Sequence, residues 1–221
     1  MQDKAPDLGV IIGAISKARY EPFVAATGKD LDRAWQLYCW NSEISGALLE
    51  RIGFIEVPLR NAMHRQLCDL SQRRHKTDRW FDALAGDMTD NTSADLDKAK
   101  ARIAQRGVVV TPGRVVAELN LGFWRYLLTE RYSRSWWNPG GMTGLRGAFG
   151  PVSDRTKADR AVTRMYELRN RVAHHEPVIK FTTMQLGSEV DSMTDLMNWV
   201  APDLGSAVDP TRLTSLLASR P

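Results

Sequence analysis

Residues Arg169-Asn170-Arg171-Val172-Ala173-His174-His175 place permanent cations, an amide and two imidazoles within a few positions, followed at once by Glu176-Pro177. Arginine can hold a phosphate in two-point contact, and histidine is the side chain whose ordinary pKa lets it move protons near neutrality. The chemistry these types fit is phosphodiester cleavage without a metal. The alternative is a plain surface pair past a helix end, and metal binding is weaker still, because neighbouring helical residues point about 100° apart. His64 and His75 also lie in another segment, and no carboxylate-histidine spacing of a zinc hydrolase is present.

These groups need a helix to position them. Ser153 or Asp154 supplies its N-cap, and Pro177 pushes Glu176 out of helical geometry, so the helix should stop near His175. On a helical wheel Ala158, Ala161, Val162, Met165, Tyr166, Leu168, Val172 and Ala173 form one apolar arc. Arg169 projects from the middle of that arc, where an ion is costly unless it meets an anion or a wet cavity. Asn170 and His174 share a neighbouring face, so the three side chains are expected to converge as the helix ends. Lys157, Arg160, Arg164 and Arg171, joined by His175, form a basic stripe on the far side, either a solvated face or a guide for a polyanion.

A second long apolar pattern is a candidate partner for this one. Leu31, Ala34, Trp35, Leu37, Tyr38, Ile44, Ala47, Leu48 and Ile52 recur at helical spacing over residues 30–52, and the pattern runs on to about Arg73. Gly53 and Pro58 either kink one helix or separate two. If the phase survives, Ile44, Leu48, Leu49, Ile52, Ile55, Leu59, Met63, Leu67 and Leu70 are buried with Glu56 among them. Glu56 is then expected to pair with Arg169 or to line the same cavity, with Arg60 and Asn61 near its rim. Such a pair either takes part in chemistry or merely fixes helix register.

The rest of the chain reads as shorter helices. Ser93 caps a charged helix that Gly107 stops, and Thr111-Pro112 starts another whose apolar pattern reaches Leu127. Residues 133–151 are glycine-rich but lack the Gly-Lys-Ser/Thr ending of a phosphate-cradling loop, so they read as a surface connection pinned by Trp136 and Trp137. Helices are expected over residues 192–200 and 210–218, and no strand pattern persists. The fold class is therefore all-α, with long antiparallel helices and extra peripheral ones. One domain over residues 1–180 carries a helical appendage, 181–221, packed on it.

Composition narrows the class of protein. At 43% hydrophobic and 25% charged residues the chain reads as globular rather than disordered or membrane-spanning. Residues 8–15 are too short for a span and lack a basic leader segment. Cys39 and Cys68 stand alone, as core thiols in a reduced, cytoplasmic setting would. Residues 1–180 hold 28 Lys and Arg against 21 Asp and Glu, a balance of +7, whereas residues 181–221 hold 2 against 5. A moderately basic body fits a polyanionic partner without requiring one.

The string Leu168-Arg169-Asn170-Arg171-Val172-Ala173-His174-His175-Glu176-Pro177 resembles the signature of the abortive-infection (Abi-like) proteins of the HEPN superfamily, an arginine followed after four to six positions by a histidine. Four residues separate Arg169 from His174 here. The likeness extends through Ser16-Lys17-Ala18-Arg19-Tyr20, Leu37-Tyr38-Cys39-Trp40-Asn41, Glu56-Val57-Pro58-Leu59-Arg60-Asn61-Ala62, Phe123-Trp124 and Trp137-Asn138-Pro139. It spans about residues 10–180. The resemblance implies a HEPN-like helical bundle, commonly a homodimer with its two Arg-His helices facing across a cleft. It also implies a metal-independent endoribonuclease without cofactor, acting in phage defence or as a toxin, with an antitoxin or defence-system protein as partner. In that reading His174 is general base or acid, Arg169 grips the phosphate, Asn170 orients, and Glu56, Arg60, Asn61 and His175 support. The alternative is a non-catalytic module binding RNA, a nucleotide or a protein partner. Aromatics such as Trp35, Trp40, Trp124 and Trp136 have no assigned partner and are candidates for a dimer surface.

Overall fold

The computed structural model describes residues 8–221. All regular structure among them is helical: α1 (Leu8–Ile15), α2 (Lys17–Ala26), α3 (Leu31–His75), α4 (Trp80–Ala83), α5 (Asp90–Gln105), α6 (Pro112–Glu118), α7 (Leu121–Tyr126), α8 (Arg155–Ala173), α9 (Thr183–Val200), α10 (Leu204–Ala207) and α11 (Thr211–Ala218), with a short 3-10 turn between α4 and α5 and short 3-10 and π turns between α7 and α8. The all-α expectation therefore holds. No described helix is long and apolar enough to cross a membrane.

Pro58 does not divide α3. Proline in a helix interior costs about 3 kcal/mol through its lost N–H and its clash with the preceding turn. Against that cost stand Ile52, Ile55, Leu59, Met63, Leu67 and Leu70, each at most 2% exposed. At roughly 1.5–3 kcal/mol per buried side chain their burial outweighs the proline several-fold. The carbonyl that Pro58 leaves unpaired belongs to the turn of Phe54, which is 45% exposed, so water can satisfy it. The wheel phase accordingly survives, except that Leu49 is exposed.

The chain forms two compact units. The first takes the described residues up to Leu49 together with Asn170–Ser188 and Pro210–Pro221, and the second takes Glu50–Arg169 and Glu189–Asp209. The C-terminal segment contributes to both: Leu186 and Leu213 are buried in the first unit, Met193, Leu196 and Met197 in the second.

The first unit is organised on the opening turns of α3. Tyr20 and Phe23 of α2 are 2% exposed, Phe23 meets the Tyr38 ring edge-on at 5.1 Å, and the Tyr20 hydroxyl donates to the Leu31 carbonyl at 3.2 Å. The C-terminus closes the same unit: the Trp40 indole N–H donates to the Leu216 carbonyl at 2.6 Å, and Arg220 lies over the Trp40 ring while donating to the Ile179 and Phe181 carbonyls.

The second unit is built around aromatic rings. Trp80 is fully buried, with Phe81, Phe123, Trp124 and Trp136 centred 5.8–6.4 Å from it. Residues 133–151 are consequently not a surface connection: Trp136, Trp137, Leu145, Ala148 and Phe149 are all buried. Gly144 is required there, since a Cβ would lie 2.0 Å from the Trp136 carbonyl oxygen. Trp40, Trp124 and Trp136 being internal, the dimer-surface expectation loses these aromatics, and half-buried Trp35 stacks on Tyr38 at 5.6 Å. Local capping also differs from expectation. Thr89 rather than Ser93 caps α5, accepting from the Thr92 N–H, and Asn120 ends the Thr111-capped α6 pattern by capping a new helix, α7.

Candidate active site

The turn that ends α8 explains how the histidines are presented. The Glu176 N–H donates to the Arg171 carbonyl at 2.9 Å and the His175 N–H to the Val172 carbonyl at 3.1 Å, with His175 at φ 55°. These are the paired bonds of a Schellman motif, which normally puts glycine at the left-handed position. A histidine there costs roughly 1–2 kcal/mol relative to glycine because its Cβ crowds the following carbonyl. Pro177 then carries the chain away. Asn41, 8% exposed on the apolar face of α3, accepts the N–H of fully buried Val178 at 2.8 Å and ties the turn to that helix.

Between α2, α3 and this turn lies a groove of about 670 Å³. Ala18, Arg19, Pro22 and Phe23 come from α2, and Tyr38, Asn41, Ser42, Ser45, Gly46 and Leu49 from α3. Val172, His174, His175, Glu176 and Pro177 close it. Every lining residue belongs to the first unit. His174 and His175 are exposed, and no hydrogen bond of either imidazole is found among the described residues. Two imidazoles opening on one groove can take and give protons to a bound ligand without breaking internal bonds.

The expected convergence on Arg169 is not part of this groove. Five helical steps of about 100° lead from Arg169 to His174, so along one helix they leave roughly 140° apart. Arg169 is half-buried and engaged within the protein, as is Asn170, which shares His174's side of the helix. Glu56 is half-buried and makes no ion pair among the described residues, so the anticipated Glu56–Arg169 bridge is not formed. Its position is at the edge of the apolar stripe rather than inside it. Arg60 and Asn61 are also half-buried, with the Arg60 Nε enclosed and lacking a hydrogen-bond partner among the described residues.

The basic stripe is largely committed to structure. The Arg164 guanidinium bridges Glu189 at 2.8 and 3.2 Å. Arg171 pairs with Glu176 at 3.2 Å and lies over the Phe181 ring, and Lys157 sits 5.1 Å from the Trp199 ring centre. Arg160 is exposed. Neither thiol is primed as a nucleophile. Burial, reinforced by Asp78 and Asp69, pushes Cys68 up to about 11, and burial together with Glu43 raises Cys39. Among the described residues no three His, Cys, Asp or Glu side chains gather into a metal-sized cluster.

Wheel reasoning did not place Arg19, Tyr38 or Asn41 in the site. Asn41 had a usable signal, an amide on an otherwise apolar face of α3, whereas Arg19 had none beyond its place in the Ser16–Tyr20 string. Comparison of the chain with family models, with curated proteins and with solved structures gives no match.

Proposed function

We propose that this chain is a metal-independent endoribonuclease whose acid-base chemistry is done by His174, and that it is HEPN-like in type. The observation that carries the reading is the pair of free imidazoles opening on a groove of about 670 Å³. That volume lies in the range of small-molecule sites, large enough for a nucleotide. RNA brings its own nucleophile, so the protein need only orient the 2′-hydroxyl, move protons and stabilise charge on the phosphate. The 2′-oxygen attacks phosphorus and the bond to the 5′-oxygen breaks, giving a 2′,3′-cyclic phosphate and a 5′-hydroxyl. One imidazole takes the 2′ proton while the other gives a proton to the leaving 5′-oxygen.

His175 supplies the second proton-transfer group in the same groove, so the chemistry needs a single chain. The homodimer implied by the resemblance would set a second groove beside the first. Action in phage defence or as a toxin, held in check by a partner protein, follows from the resemblance and is proposed on that ground. Arg169 and Asn170, engaged within the fold, hold the end of α8 in this reading.

A second reading is favoured by the apolar walls that Pro22, Phe23, Leu49 and Val172 give the groove: a module that binds RNA, a nucleotide or a protein partner without cutting. Incubation of purified protein with total RNA, beside His174→Ala and in EDTA, separates the two. Cleavage that persists in EDTA, leaves cyclic phosphate ends and falls roughly 10²–10⁴-fold in the variant is expected. Equal cleavage by the variant removes His174 from the chemistry, and binding without cleavage supports the module.

A further inference from the structure

The groove that holds His174 and His175 contains a guanidinium that the Arg169–His174 cluster does not include. The geometry points to Arg19 as the phosphate-gripping residue of this groove, an assignment that rests on reading the groove as a nuclease site.

Two nearby cations are already occupied. Arg171 is consumed by Glu176 and the Pro177 carbonyl. Arg164 is consumed by Glu189. Arg19 lines the groove, is exposed, and makes no ion pair among the described residues. Its backbone is nevertheless firmly held, because the next residue, Tyr20, is 2% exposed and hydrogen-bonded to the Leu31 carbonyl. A guanidinium on an anchored helix matches the planar, two-point geometry of a phosphate, and its charge does not titrate near neutrality.

The carboxylate in the groove does not cancel this. Glu176 is paired with Arg171 at 3.2 Å, which leaves the imidazoles and Arg19 to set the local sign. The apolar wall complements the charge: Pro22, Phe23 and Tyr38 border the groove. A phosphate flanked by an apolar shelf for a base is the recognition pattern of single-stranded nucleic acid.

The test measures binding of a single-stranded 2′-deoxy oligonucleotide, which cannot be cut by this chemistry, across a salt series. It uses the full chain, Arg19→Gln and Arg19→Lys, with thermal unfolding as a control for folding. Arg19→Gln should melt with the parent, lose about tenfold or more in affinity as one charge-assisted contact disappears, and flatten the salt slope by about 0.7. Arg19→Lys should restore the slope and part of the affinity. Parental affinity and slope in Arg19→Gln would overturn the assignment, as would the absence of measurable binding by the parent. RNA cleavage separates this failure from that of the nuclease reading. Loss of cleavage in His174→Ala with full cleavage in Arg19→Gln sinks Arg19 alone, whereas undiminished cleavage in His174→Ala sinks the nuclease and leaves binding to decide Arg19.

Discussion

The wall around Trp80 and the groove at His174 use similar residue types and leave them in opposite states. At the wall, the Trp80 indole N–H donates to His64 Nδ1 at 3.0 Å, Cys68 approaches the same ring at 3.6 Å, and burial lowers the His64 pKa. That histidine is an internal acceptor, held neutral. At the groove, His174 and His175 face solvent beside Tyr38 and Arg19, and the described residues offer neither imidazole a hydrogen bond. A polar group satisfied inside the fold contributes to stability, whereas one left open on a concave surface contributes little to folding and is available to a ligand.

The sharpest way to break this contrast is to remove one residue from each side. His174→Ala should slow RNA cleavage by roughly 10²–10⁴-fold while leaving the denaturation midpoint near that of the parent. Trp80→Ala should do the reverse, costing about 3–5 kcal/mol of stability by urea titration through an unfilled cavity and an unpartnered His64 acceptor. A large stability loss in His174→Ala would place that residue with the wall.

His175 sharpens the contrast because it occupies the left-handed position of the turn and also opens on the groove. His175→Gly should stabilise the chain by about 1 kcal/mol, since glycine adopts the left-handed position without strain, and should still slow cleavage. A variant that is more stable and fully active would remove His175 from the proton transfers.

The smallest effect concerns pH. Because burial lowers the folded-state pKa of His64, the unfolded chain binds more protons below the ordinary histidine value of about 6.5. Stability from this group is therefore complete above that pH and is lost as pH falls through it toward the depressed folded value. His64→Gln, which can accept from Trp80 but does not titrate there, should reduce the acid sensitivity of the unfolding midpoint between pH 7 and pH 5. An unchanged slope would assign the sensitivity to other groups.

Much of the fold was legible because helical periodicity and capping are local. The buried faces of α3 and α8 follow their wheels, Thr111 caps α6, and the Asp154 side chain accepts the Thr156 N–H at the start of α8. α8 ends at Ala173, close to the stop near His175 that Pro177 leads one to expect. The candidate site was legible in its histidines but not in its cations. Arg164 and Arg171 look free on a wheel, yet Glu189 and Glu176 occupy them, the first across 25 residues of chain. The burial of residues 133–151 is hidden for a related reason: glycine content reports backbone freedom, while the burial of Trp136 and Phe149 depends on what packs over them.

By itself the amino-acid sequence determined the helices, their apolar faces and the abrupt end of α8 that displays two imidazoles. Each of these depends on residues within a turn or two of one another. Only the tertiary structure decided that α3 runs through Pro58, that Asn41 moors the turn by way of Val178, and that Arg19, 155 positions before His174, shares its groove. Those outcomes come from burial and pairing between distant segments, whose free energies exceed local preferences but leave no periodic mark along the chain.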